Sequence, residues 1–229
     1  MKVSTYTSRI FFLVTIICGL TAWGQEQEAT LETSVSLKPP RAQKSYLASL
    51  NYSVVDFPIP SKLGVTVGLI SSPTQTWELE YMRGSISVPG HFRDLGSMTD
   101  TRIGFIGRTY FGESFHMSYG ISYFDFSATV GDALLNNLTG GGYPNIDMLT
   151  VQGFGLNVGL GNTWVINKNI TLGIDWLTIA QPLVVTKKNS DYVNYTSNKN
   201  DKKNVEDTMK IVSYLPRFAA ASVHVGVLF

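Results

Sequence analysis

Glu78, Glu80, Arg102, Arg108, His116, Asp175 and His224 are the side chains in this sequence best suited to chemistry. Carboxylates beside imidazoles can exchange protons as general acid and base. Guanidinium groups can hold carboxylates in paired hydrogen bonds. His116 and Ser118 stand two apart, the spacing that brings a base and a hydroxyl nucleophile together on one face of a strand. Other chemistries find less support. Cys18 is the only cysteine, and it lies in a leader-like stretch, so the remaining chain has no thiol for catalysis, disulfide formation or thiolate metal binding. The polar residues of the longer links show no metal-ligand spacing. Gly140-Gly141-Gly142 lacks the strand and helix context of a phosphate loop.

The elements that must position these residues begin after a leader. In Met1–Gly24, Lys2 and Arg9 precede the apolar run Ile10–Ala22, and Ala22-Trp23-Gly24 offers the small residues of a cleavage site. The run is short of the ~20 residues that a membrane helix needs. Ile17, not a small residue, precedes Cys18, which argues against a lipid-modified cysteine. Cleavage removes Lys2 and Arg9 and no acid, taking the formal charge from +1 to −1. No basic excess points to nucleic acid. Residues 25–44 are polar and hold Pro39-Pro40, which predicts a flexible lead-in. The rest, 45–229, is short enough for one domain.

Across that domain, apolar and small or polar residues alternate, the period of a strand with two unlike faces. The pattern predicts strands near 45–55, 63–70, 76–88, 101–111, 115–128, 149–166, 170–181 and 219–229. The sixth is the clearest, with Phe154, Leu156, Val158 and Leu160 set against glycines and Asn157. In the last, Ala219, Ala221, Val223, Val225, Val227 and Phe229 share one apolar face. The third loses its phase at Arg83, which predicts a bulge or emergence from lipid there. Tight turns at Pro73, Gly112 and Asn167 alternate with longer links near 56–62, 89–100, 129–148 and 184–216. Short turns on one rim and long loops on the other are the arrangement of a membrane barrel. An even strand count then puts both termini on the short-turn rim. On the apolar faces nearest that rim stand Tyr46, Trp77, Phe111, Phe115, Trp164 and Phe229, an aromatic girdle where an apolar band would meet headgroups. Eleven residues tilted by ~40° climb roughly 28 Å, enough for a ~25 Å band.

The leader, the alternating segments and the terminal Val223-x-Val225-x-Val227-x-Phe229 resemble those of small eight-stranded bacterial outer-membrane proteins, the OmpA-barrel, OmpX and OmpW-like class. The resemblance is architectural and includes no loop motif. It implies an eight-stranded antiparallel up-and-down barrel in the bacterial outer membrane, with both termini periplasmic. It implies lipid as surroundings, and Val223, Val225, Val227 and Phe229 as the signal read by the barrel-insertion machinery. It also implies long links near 89–100, 129–148 and 184–216 outside the cell, open to a surface ligand. Outer-membrane lipid A deacylases also pair a His and a Ser two apart. Here, however, the pair sits near the wrong rim and on the interior phase, no Glu follows on the next strand, and the closest acids are Asp125 and Asp132.

By phase, all the ionisable residues of the opening paragraph fall inside. Glu80 and Arg108 lie equally far from Trp77 and Phe111, and Asp175 and His224 equally far from Ile170 and Phe229. The spacing therefore predicts Glu80 level with Arg108, and Asp175 level with His224. Two interiors fit: a polar conduit or proton-linked site, or a filled core of paired charges. An eight-stranded barrel is just wide enough to be filled by side chains, and unpaired buried charge is costly. Glycines on the interior phase of the sixth strand would leave some space. The leading expectation is a closed barrel with a structural or surface-interaction role and no catalytic residue, cofactor or metal. The alternative is a narrow channel or transporter for small or apolar solutes.

Overall fold

The computed structural model describes residues 40–89, 94–130, 146–191 and 199–229. The expected leader, most of the expected lead-in, the glycine triplet and Asp132 lie outside the described residues. The strands are β1 (Tyr46–Asp56), β2 (Lys62–Ser72), β3 (Gln75–Pro89), β4 (Asp94–Phe111), β5 (Phe115–Val130), β6 (Ile146–Ile166), β7 (Ile170–Asn189) and β8 (Arg217–Leu228). Each pairs antiparallel with the next, and β8 pairs with β1 to close the ring. At the short-turn rim the Phe229 carbonyl accepts from the Tyr46 N–H at 2.9 Å, and the Phe229 N–H donates to the Tyr46 carbonyl at 3.0 Å.

Closure pairs each strand on both sides within the ring, which satisfies its backbone polar groups. The far ends of β3 past Arg83 and of β7 past Ala180 outrun a neighbour and pair on one side. A line of paired residues that leaves Tyr46 runs through Leu69, Trp77, Gly107, Tyr119, Val158, Ile179 and Phe218. It returns beyond the far end of β1, where the Phe57 N–H donates to the Phe218 carbonyl at 2.9 Å. The register thus climbs a whole strand length in one circuit, the stagger that a strand tilt of roughly 35–45° requires.

The expected alternation is visible in burial. Phe105, Leu156 and Val225, the apolar faces of three strands, are 50%, 51% and 51% exposed on the outer wall and do not meet in a common core. The ladder nevertheless runs further than the sequence pattern. β4 starts at Asp94, not near Thr101, and β7 continues to Asn189, so little of 89–100 is a link and the link expected at 184–216 begins later. Alternation reports where one face needs an apolar solvent, whereas hydrogen-bonded pairing continues wherever a partner strand does.

The remainder of that last link holds a helix, α1 (Lys199–Tyr214), which charge-rich composition had concealed. Val205, Met209 and Val212 have helical spacing in the sequence. Met209 and Ser213 are buried, and Val212 packs against a cluster of Ile59, Phe126, Leu149 and Val151 at the long-link end.

No bulge lies at Arg83, which pairs with Thr101 in unbroken register and is exposed on the outer wall. The phase changes elsewhere. Ala221 has φ of 55°, and Ala219, expected on the apolar outer face, is 1% exposed and interior. β1 and β7 change face beside it, with Val54 and Val55 both exposed and Trp176 and Leu177 both exposed. The β6–β7 register shifts between Leu160 and Gly161 to absorb the change.

A left-handed conformation costs a residue with a Cβ about 1–2 kcal/mol. Ala221→Gly should therefore hold or raise stability, whereas Ala221→Val, β-branched at positive φ, should lower it. Urea unfolding of the folded barrel in lipid vesicles measures both.

Candidate functional site: the paired interior and its two ends

The interior is built around Arg108 on β4. Its Nε donates to Glu78 Oε2 on β3 at 2.9 Å, and its two terminal nitrogens donate to the two Asp175 oxygens on β7 at 3.0 and 3.2 Å. Thr76 Oγ1 donates to the other Glu78 oxygen at 2.7 Å. His116 Nε2 lies 2.8 Å from Asp175 Oδ1 and 2.9 Å from an Arg108 nitrogen. One ring nitrogen can serve only one of these, donating to the carboxylate or accepting from the guanidinium. Thr163 Oγ1 stands between the two imidazoles, 3.4 Å from His116 Nδ1 and 3.0 Å from His224 Nε2. Two glycines make this packing possible. A Cβ on Gly173 would overlap His224 Nε2, and one on Gly161 would lie 2.6 Å from Asp175 Oδ1. The interior glycines at this level are filled by neighbouring polar groups and leave no open space.

The pairing expected from turn offsets differs from the one observed. Glu80 accepts from Arg102 at 3.0 Å, while Arg108 takes Glu78 and Asp175. Offsets counted from turns ignore the stagger of a tilted sheet. Glu80 and Arg102 are diagonal neighbours, since Glu80 pairs with Gly104 and Met82 with Arg102. Asp175 and His224 do face each other, but at 3.9 Å, and the shorter contact of Asp175 is with His116.

Nearer the long-link rim a second cluster was missing from the sequence reading. Lys62 Nζ lies 2.6 Å from Asp56 Oδ1 and 2.5 Å from Asp100 Oδ2, and Arg217 Nε is 3.4 Å from Asp100 Oδ1. The Arg217 guanidinium also lies over the Phe124 ring, 4.5 Å from its centre. Lys62 and Asp100 keep the interior phase of Gly64 and Arg102, so phase alone could have placed them. Asp56 and Arg217 lie beyond the face switch and carry the phase of the outer wall.

The lead-in also departs from expectation at its end. Pro40–Gln43 forms a 3-10 turn, and Arg41 is 4% exposed inside the short-turn end. It donates to the Thr163 carbonyl at 2.6 Å and to the Glu113 carbonyl at 3.4 Å, with its guanidinium 3.7 Å from the centre of the Tyr110 ring. Among the described interior residues, Arg41, Lys62, Arg102, Arg108 and Arg217 match Asp56, Glu78, Glu80, Asp100 and Asp175 in number. Two interior cavities of about 20 Å³ each lie on either side of Arg108, each with room for roughly one water.

The expected girdle residues line the outer wall toward the short turns. Tyr46 stacks on Phe229 at 5.8 Å, Phe111 meets Phe115 at 6.1 Å, and Trp77 stacks on Phe105 at 5.4 Å. Trp164 is 43% exposed. Val223, Val225 and Val227 continue the outer face of β8 toward Phe229. His116 and Ser118 are both buried inside the barrel, at 0% and 6% exposure.

No family model and no curated protein matches the chain. Three solved structures are similar in fold. The N-terminal β-barrel domain of Pseudomonas aeruginosa OprF is 12% identical, covering 81% of this chain and 98% of that one, with a TM-score of 0.38. Neisserial surface protein A is 13% identical, covering 81% and 95%, with a TM-score of 0.39. Acinetobacter baumannii CarO is 12% identical, covering 82% and 99%, with a TM-score of 0.42. Strand count, antiparallel order and ring closure define the class: this chain is an eight-stranded antiparallel up-and-down β-barrel.

Removing one partner of a buried pair leaves an uncompensated charge, at a cost of about 3–5 kcal/mol. Asp175→Asn should lower unfolding stability by that order. Replacing Glu78, Arg108 and Asp175 together by Gln, Met and Leu should lose much less. Urea titration of the two variants in the same vesicles separates them.

Proposed function

We propose that this chain is an outer-membrane barrel closed to bulk solute, with a structural or surface-interaction role. The observation that carries the reading is the outer wall. Leu50, Val67, Leu79, Phe105, Ile121, Leu156, Leu172 and Val225, one from each strand, are between 39% and 65% exposed, and together they form an apolar belt around the ring. Water-soluble monomers do not present a continuous apolar surface of this extent. Lipid is the solvent that suits it. The belt is bordered at its other edge by Tyr81, Tyr123 and Phe154, with Tyr123 and Phe154 in contact at 5.3 Å. Beyond them the outer wall turns polar at Arg83, Thr101, Asp125 and Gln152, which are neighbours in register.

In this reading the short turns and both chain termini face the periplasm. The apolar face of β8 ending in Phe229 engages the insertion machinery, and the long links meet the outside, where a surface ligand would bind. The interior pairs have a structural role. His116 and Ser118 are walled off from the lipid phase, so a lipid substrate cannot reach them. A narrow-channel reading needs a continuous aqueous path, whereas Arg108 and its partners stand between the two small cavities.

Three measurements test this. Purified protein in a planar bilayer should give no steady openings; stepwise conductance would establish the channel reading instead. Val158 lies between Trp164 and Phe154 on the outer face of β6, and Val158→Arg should cost about 2–4 kcal/mol in lipid. On a water-facing wall the same change would stay within about 0.5 kcal/mol. A cysteine at Asn200 should react with an impermeant reagent on intact cells, and one at Lys168 should not; the reverse pattern would invert the orientation.

A further inference from the structure

The last turn of α1 has an apolar side that the barrel leaves uncovered. Met209 and Ser213 are buried against the mouth, while Ile211, Tyr214 and Leu215 are 66%, 47% and 37% exposed. Three ties fix where this turn sits. Arg217, three residues after Tyr214, already pairs with Ala180 of β7. Gln181 Nε2 on the outer wall of β7 donates to the Tyr214 carbonyl at 3.1 Å. Lys188 Nζ lies 5.3 Å from the centre of the Tyr214 ring. The turn therefore stands at the upper edge of the apolar belt, next to exposed Phe218 and Val184, and continues the belt outward.

Lys210, one turn before Tyr214, is exposed, as is Lys188 beside the ring. The exposed acids Glu206 and Asp207 lie seven or eight residues before Tyr214, roughly 11 Å along the helix axis. Lys188 thus stands beside the aromatic ring, and Lys210 lies one helical turn before it.

We infer that the last turn of α1 is a lipid-docking foot: Ile211, Tyr214 and Leu215 enter the headgroup layer of the outer leaflet, and Lys188 and Lys210 take its phosphate groups. This rests on the membrane reading above and extends it from the barrel wall to the surface helix. Continuity with the belt selects lipid over a protein partner. A tyrosine flanked by lysines is the composition of an interfacial anchor. Docking would hold the helix, and with it the cap over the mouth, against the membrane surface.

The mature chain lacks cysteine, so single labels are available. A polarity-sensitive fluorophore is placed at Ile211→Cys, at Lys203→Cys on the same helix, or at Leu156→Cys in the belt. Each protein is reconstituted in phosphatidylcholine vesicles with and without phosphatidylglycerol, carrying nitroxide lipids of shallow or deep position. The Ile211 label should be quenched several-fold more by the shallow nitroxide than the Lys203 label. Lys188→Glu with Lys210→Glu should reduce that quenching in anionic vesicles and leave it unchanged in neutral ones. Equal, water-like emission at Ile211 and Lys203 would overturn the foot. A blue-shifted Ile211 label that lipid does not quench would also overturn it, assigning the face to protein. Quenching indifferent to the lysine changes would overturn the phosphate contact. An unquenched Leu156 label would sink the membrane reading and the foot together.

Discussion

Arg108 reaches from β4 to the carboxylates of β3 and of β7, so one guanidinium ties a neighbouring strand to a wall across the barrel. A ring of strands hydrogen-bonded only to neighbours can flatten or shear; a cross-barrel pair resists both. The pair has a strict spatial requirement, because both carboxylates must approach one planar group. Gly161 and Gly173 meet it by removing side chains where Asp175 and His224 must lie. The charges are therefore part of the packing, and their near balance follows from the cost of leaving any one unpaired in a dry interior.

The two faces of the sheet obey opposite rules with one period. Outside, each strand presents bulky apolar groups that stay largely exposed; inside, it presents polar groups that nearly all have a partner. Alternation also keeps the chain's mean hydropathy at +0.06, far below that of a helical membrane protein, and avoids the long apolar run that would span a membrane as a helix. The same feature that builds the barrel thus keeps its strands free of a competing structure.

This period made the wall legible in the sequence. Strand identity, order of tight turns, the outer aromatics and the interior placement of Glu78, Arg108, His116 and Asp175 all follow from counting by twos. Three things did not follow. Partner choice needed the stagger of the sheet, so Glu80 was matched with Arg108 when Arg102 lies within reach. Interior residues beyond Ala221 and Val54 were hidden by a change of face that no residue type announces, since alanine and valine are poor markers of a bend. The helix was hidden by its charge, although the spacing of Val205, Met209 and Val212 carried it. Phase is a local signal, and each failure lies where a neighbouring strand or the mouth of the barrel decides the outcome.

The ends of the barrel follow from its unequal strands. β1, β2 and β8 stop near Asp56, Lys62 and Arg217, while β4 to β7 run well beyond, so the long-link rim slopes. A sloping rim exposes the inner face of its tall side, and here that face carries Phe126, Leu149 and Val151. Such a surface inside an open mouth would be wetted. Ile59 from the β1–β2 link and Met209 from α1 cover it instead, each supplied by a connection that starts or ends on the low side. The helix thus lies between the end of β7 and the start of β8 in the chain and buries part of this apolar wall. At the other rim, among the described residues, no such wall is exposed, and one arginine on a 3-10 turn lies inside the opening. The difference in strand length decides which end needs a helix and which needs only a side chain.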